Sequence, residues 1–202
     1  GGLIICGMNW GAGGGGPANV SEDAKKPVLF ASESNLYPFQ RTLMKWFELW
    51  GYPLKPDNPT HLDYALLQTN IFLNSTKHFQ DRSAEEWREA IDHRAVAISK
   101  LQPSGIIFCS IDLMERAFAE AEKQGVESWS KLLGTPSWRE LHVFDGGFSL
   151  KFMHHTGEDL PIVGIKHPAG RGTSHEAVEK AKAVMGPWLD KVVERYVAGQ
   201  KR

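Results

Sequence analysis

The stretch Leu3 to Gly11, Leu-Ile-Ile-Cys-Gly-Met-Asn-Trp-Gly, restricts the fold more than any other part of the chain. Four consecutive apolar residues, Leu3 to Cys6, are too few for a buried helix and rich in β-branched types. They read as a central strand covered on both faces, which is the situation of a parallel sheet. Gly7 and Gly11 stop the strand. Asn9 lies between these glycines, at the carboxyl end of the strand, where open α/β sheets bind ligands in the crevice beyond the strand ends. It is the first candidate for function, although Asn also caps a turn well through its own side chain.

The rest of the chain repeats this plan. A helix is expected from Pro38 or Phe39, with Leu43, Trp46, Phe47 and Trp50 forming an aromatic stripe, ending at Gly51 and Pro53. The spacing of the tryptophans is that of a buried face. Phe39 precedes the stripe, beside Tyr37 and Pro38, where it can point into a crevice at the sheet edge. Asp63 to Asn70 reads as a second strand, again ending in Asn, so two strands could offer two amides to one ligand. Ser83 and Glu86 form a capping box for a helix through Trp87, Ile91, Ala95 and Ile98 to Pro103. Gly105 to Ser110 is a third strand, and Asp112 with Glu115 starts the next helix. Two alternating runs around Asp145-Gly146-Gly147 give a hairpin signal within Trp138 to His155. A last strand, Pro161 to Lys166, leads into His167-Pro168-Ala169-Gly170-Arg171-Gly172. Thr173 and Glu176 cap a final helix that Gly186-Pro187 breaks or kinks. Strands alternating with helices at this spacing predict one α/β domain over residues 1–202. Its expected form is a three-layer α/β/α sandwich around a four-stranded, mostly parallel sheet with right-handed crossovers.

Several function classes are excluded or left without support. Gly11 to Gly16 matches Gly-x-Gly-x-x-Gly, but Pro17 and a polar run follow where a dinucleotide site needs a helix, so the tract reads as a loop and an oxidoreductase is unsupported. No Gly-Lys-Ser/Thr follows either. Cys6 and Cys109 lie in apolar runs and read as buried thiols, too few for a cluster or a thiolate zinc site. His154 and His155 lack a third ligand at useful spacing, so no metal site is expected. No apolar run approaches a membrane span or a signal-peptide core, which predicts an intracellular, cytoplasmic protein without membrane contact. The net charge of −1 carries no global nucleic-acid signature, so such binding must come from a local patch. Lys166, His167, Arg171 and His175 form one at the end of the last strand, suited to a phosphate backbone.

Taken together, the strand-end motifs resemble the uracil-DNA glycosylase superfamily, and most closely its single-strand-selective monofunctional branch. Gly7-Met8-Asn9-Trp10-Gly11 is similar to that branch's Gly-Met-Asn-Pro-Gly. Tyr37-Pro38-Phe39 is similar to the Val-Pro-Phe segment that supplies an aromatic wall to the base pocket. Asn70 falls on the Asn ending the second strand, and His167-Pro168-Ala169-Gly170-Arg171-Gly172 resembles His-Pro-Ser-Pro-Arg-Asn. The four matches occur in the family's order and span nearly the whole chain. Trp10, Ala169 and Gly170 depart from the pattern, and the glycine-rich loop is longer than usual. These departures bear on pocket shape and substrate range. The water-activating Asp of the most active branches is absent.

The resemblance implies a hydrolase of base excision repair that cuts the N-glycosidic bond of uracil, or a related damaged base, in DNA and leaves an abasic site. Asn9 would position the attacking water, since an amide is no general base near neutral pH. His167 would stabilise the departing base anion. Gly7 and Met8 would border the base pocket, with Phe39 stacking on the base and Asn70 reading its edge. Arg171 would fill the gap left by the extruded base, next to Gly170 and Lys166 on the DNA backbone. No Schiff-base lysine, metal or organic cofactor is implied. The expected partner is damaged DNA, bound by a monomer, in the cytoplasm or, in a bacterium, at the nucleoid. The competing expectation is a non-catalytic α/β module that binds a nucleotide or nucleic acid through its glycine loop.

Overall fold

A computed structural model describes residues 1–7, 38–55, 62, 65–72, 82–134, 136–155, 160–168 and 170–200, with the backbone alone for 136–139 and 155. The elements in chain order are β1 (Leu3–Gly7), α1 (Pro38–Leu49), β2 (Leu66–Asn70), α2 (Ala84–Leu101), β3 (Gly105–Phe108) and α3 (Ile111–Lys123). They continue with α4 (Glu127–Leu133), β4 (Pro136–Phe144), β5 (Phe148–His155), β6 (Ile162–Ile165), α5 (His175–Lys180) and α6 (Lys182–Gly199).

The six strands form one sheet in the order β2-β1-β3-β6-β5-β4. β1 pairs in parallel with both β2 and β3, and β3 with β6. β5 pairs antiparallel with β6 and with β4. The fold is α/β, but the expectation of a four-stranded, mostly parallel sheet is corrected to a mixed sheet of six. The hairpin is responsible. Its turn is legible in Asp145-Gly146-Gly147, but nothing local tells where a hairpin docks, and it docks through β5 onto β6, with Leu150 opposite Ile165 and Phe152 opposite Val163.

All five residues of β1 are buried, because alternate side chains enter cores on opposite faces. Leu3 and Ile5 pack with α1, α5 and α6 residues such as Trp46, Phe47, Val178 and Leu189. Ile4 and Cys6 pack with Trp87, Ile91, Met114, Phe118 and Trp129 of α2, α3 and α4. The aromatic stripe is core: Trp46 stands edge-on to Phe148 at 5.1 Å, and the buried Trp50 donates its indole N–H to the Val178 carbonyl at 3.1 Å.

Most helix boundaries follow the sequence. The Ser83–Glu86 capping box is formed in both directions, at 3.2 and 2.8 Å. Two caps are corrected by one or two residues. Ser110, not Asp112, caps α3 by accepting from Leu113 N–H; Asp112 falls in the first turn, where a carboxylate favours the helix dipole. Ser174, not Thr173, accepts from Ala177 N–H and caps α5. Gly186-Pro187 does not break the last helix. The interruption falls at Ala181, between α5 and α6, so Pro187 lies in the opening turns of a fresh helix, where its missing N–H removes a single bond. No described helix is long and apolar enough to cross a membrane.

Candidate functional site

The parallel strands β2, β1, β3 and β6 deliver their carboxyl ends to one edge of the sheet, where the described candidates Gly7, Asn70 and His167 lie. Gly7 and Asn70 end β1 and β2 as direct register partners. The ladder continues one step further, with Ile71 N–H donating to the Gly7 carbonyl at 2.9 Å. Asn70 is only 4% exposed, and its side-chain Nδ2 is buried without an acceptor among the described residues. A buried amide donor left unmade costs about 1–3 kcal/mol. Gly7 makes room for this amide: a Cβ at position 7 would sit 2.5 Å from Asn70 Oδ1. On the far side of the pair, Arg94 of α2 donates Nε–H to the Ile71 carbonyl at 3.3 Å. This fixes the chain where it leaves β2. Arg94 is half-buried, and desolvation lowers its pKa.

The second half of the site follows β6. The His167 ring lies 5.8 Å from the Phe39 ring, tilted by 48°. Two residues 128 positions apart in sequence thus meet where α1 begins and β6 ends. Phe39 is half-buried against the α1-side core. His167 retains an exposed surface, yet the protein around it desolvates the imidazole enough to hold its pKa below the ordinary 6.5. The ring is therefore mainly neutral at pH 7, with one nitrogen a donor and the other an acceptor.

The loop carrying His167 is pinned to the hairpin turn. Lys166 N–H donates to the Ser149 carbonyl at 2.9 Å and Ser174 N–H to the Gly146 carbonyl at 2.9 Å. Lys166 Nζ and Thr173 Oγ1 both donate to the Gly147 carbonyl, at 2.6 and 3.3 Å. Within the loop, Gly170 N–H donates to the His167 carbonyl at 2.8 Å. The turn needs its glycines. Gly146 and Gly147 have φ of +98° and +80°, and a Cβ on Gly147 would collide with the Gly172 carbonyl.

Of the sequence candidates, Gly7 with Asn70 and Phe39 with His167 are brought together as two pairs. The strands carrying Asn70 and His167 are separated by β1 and β3, three strand spacings or about 14 Å. Gly170 and Arg171 are exposed on the His167 loop, whereas the Lys166 ammonium is drawn to the hairpin. Met8 and Asn9 lie outside the described residues, as do Trp10, the glycine tract, Tyr37 and Ala169. Sequence reasoning missed Arg94 and the hairpin clamp. Arg94 sits one residue from an apolar stripe and carries no local signal, while the Asp-Gly-Gly signal gave the turn but not the loop it holds.

Cys6 and Cys109 are buried free thiols, as expected. Burial pushes the Cys6 thiol up to about 12 and Cys109 well above its ordinary value, so neither is a nucleophile at neutral pH. Among the described residues no three His, Cys, Asp or Glu side chains cluster as metal ligands. In comparisons with known proteins, the chain matches no family model and none of the curated proteins.

Proposed function

We propose that the protein is a monofunctional DNA glycosylase acting on uracil or a related damaged base. The observation that carries this reading is the meeting of Phe39 and His167 at the sheet edge where Asn70 ends β2 with a buried, unpartnered amide donor. An aromatic face, a neutral imidazole and an unspent amide suit a flat heterocycle with carbonyl acceptors on its edge. Arg171 and Gly170, exposed on the loop after His167, fit a strand carrying phosphates.

In this reading Phe39 stacks on the extruded base, and the Asn70 amide pairs with its edge. As the N-glycosidic bond breaks, its electron pair moves onto the base and the sugar acquires oxocarbenium character. A neutral His167 donates its N–H to the carbonyl oxygen on which that charge accumulates. It holds its own proton, so the base departs as an anion. Water held by Asn9 adds its oxygen to the sugar carbon and loses its surplus proton to solvent or to the departed base anion, and an abasic site remains. The enzyme would act inside the cell, on the DNA of the cytoplasm or nucleoid.

The test is base release from a labelled oligonucleotide carrying one uracil, single- and double-stranded, with alkali to cut abasic sites. Breaks that need alkali are expected, and His167→Ala should slow release by about 10²–10³-fold, the effect of deleting one donor to a developing oxyanion. Breaks without alkali would overturn the monofunctional assignment. Binding with no release of uracil, hypoxanthine, xanthine or oxidised pyrimidines would overturn the enzyme in favour of a binding module.

A further inference from the structure

β4 (Pro136–Phe144) bounds the sheet on one side. β5 pairs with its inner edge, and no described strand pairs with the outer one. Along an unpaired edge, alternate residues direct N–H and C=O groups outward, which is a template for another strand. Protein edges are commonly blunted by shortness or by charged side chains. This one is 9 residues long, with Pro136 and a register irregularity confined to its start, and beside the charged Arg139 and Glu140 it carries the two most exposed large apolar residues described, Val143 at 72% and Leu141 at 55%. On the opposite face lie Glu140 and His142, with His142 Nε2 2.9 Å from Glu140 Oε1. Phe144 packs beside them against the core.

We propose that the outer edge of β4 pairs antiparallel with β4 of a second copy, about a two-fold axis through Leu141. This joins two six-stranded sheets into one. The register follows from three constraints. Outward groups alternate along the edge, so a two-fold ladder must place its axis through a residue, not between two. Axes through Arg139 or Glu140 set like charges opposite one another, which is destabilising. An axis through His142 pairs only residues 140–144 before the strand ends, whereas one through Leu141 pairs 138–144. With Leu141 on the axis, Glu140 of each copy faces His142 of the other, twice, and Leu141 faces its own copy. The sequence complements itself in this register alone.

A ladder of this size joins only two edge strands, at the small end of protein interfaces, which makes the dimer reversible and concentration-dependent. β4 runs parallel to β6, since both are antiparallel to β5. The two candidate sites therefore face opposite edges of the joined sheet and share no residue. The dimer neither requires nor blocks the proposed activity. It replaces the monomer expected from the sequence.

Sedimentation velocity tests the association, and thiol cross-linking tests the register. The apparent mass should rise from 22.5 kDa toward twice that value through the micromolar range. Leu141→Cys should give a covalent dimer on oxidation, because paired Cβ atoms on the axis lie about 4.5–5.5 Å apart. Val143→Cys, whose cross-strand partner is residue 139, should not. The native thiols are buried and do not compete. His142→Glu sets carboxylates opposite each other and should weaken association by about tenfold or more. The exchanged pair Glu140→His with His142→Glu should restore it, which separates a lost contact from a lost fold. A mass that stays at 22.5 kDa at the highest concentration overturns the proposal and leaves the edge to a different partner. Equal cross-linking at 141 and 143, or an exchange that restores nothing, overturns it as well.

Discussion

Asn70 and His167 are each held in a state that a stability-optimised protein would avoid. The Asn70 amide has a buried donor without an acceptor, a configuration whose penalty binding can repay. Leu has nearly the shape of Asn and no such donor. Asn70→Leu should therefore leave stability unchanged or raise it by about 1 kcal/mol, while the proposed uracil release should fall by roughly a hundredfold or more, because in that proposal the amide reads the base edge. Thermal melts beside the release assay check both halves, and a clear loss of stability would mean that the amide is already satisfied. The imidazole of His167 is disfavoured as a cation, and the sign of its linkage follows. Its pKa in the folded state lies below the unfolded value, so the folded chain binds fewer protons as pH falls past about 6.5. Stability contributed above that pH is lost on acidification through the folded pKa. His167→Gln should flatten the fall in Tm between neutral and mildly acidic pH; an unchanged slope would place the titration elsewhere.

At the level of single elements, α2 shows how much a local pattern can specify. Ser83 and Glu86 satisfy each other's backbone donors across the first turn, so Ser83→Ala should cost about 1 kcal/mol, read as a lowered urea midpoint at constant m. Elements of this kind were legible because their signals are local: the β1 run, the α1 stripe, the capping box and the hairpin glycines each act within a few residues. Misreadings arose where two nearby residues could do the same work. Ser110 and Asp112 can both cap, as can Thr173 and Ser174, and the choice falls to whichever backbone angles the incoming strand imposes. The break at Ala181 in place of Gly186-Pro187 is of another kind, since alanine carries no breaking signal. The docking of β5 on β6 is different in kind, since register partners such as Leu150 and Ile165 carry no mark of each other. The same limit applies at the site. Phe39, Asn70 and His167 could be singled out by type and by their place at element ends, and they fall into two pairs along one sheet edge, while Arg94 and the Lys166 tie to Gly147 depend on where the folded chain happens to pass.

For the molecule as a whole, the hairpin turn is a fixed support for the His167 loop, and the loop is a long way in sequence from everything else it serves. Gly147→Ala introduces both a strained φ and a collision with the Gly172 carbonyl. It should destabilise by more than about 1 kcal/mol and speed amide hydrogen exchange at Lys166 and Ser174, with α2 exchange unchanged. Uniform loosening of the whole chain would show that the turn supports the fold and not this loop. The strand order carries a consequence for synthesis as well. β1 precedes the other described strands in the chain, yet it is flanked by β2 and β3, which begin at residues 66 and 105. At about 5–20 residues per second, the strand that completes its surroundings follows about 5–20 s behind it. Until β3 follows, the apolar run Leu3 to Cys6 has at most β2 beside it. An apolar strand made before both of its neighbours thus stays open along one edge until β3 follows, and on the ribosome a chaperone has that interval to find it.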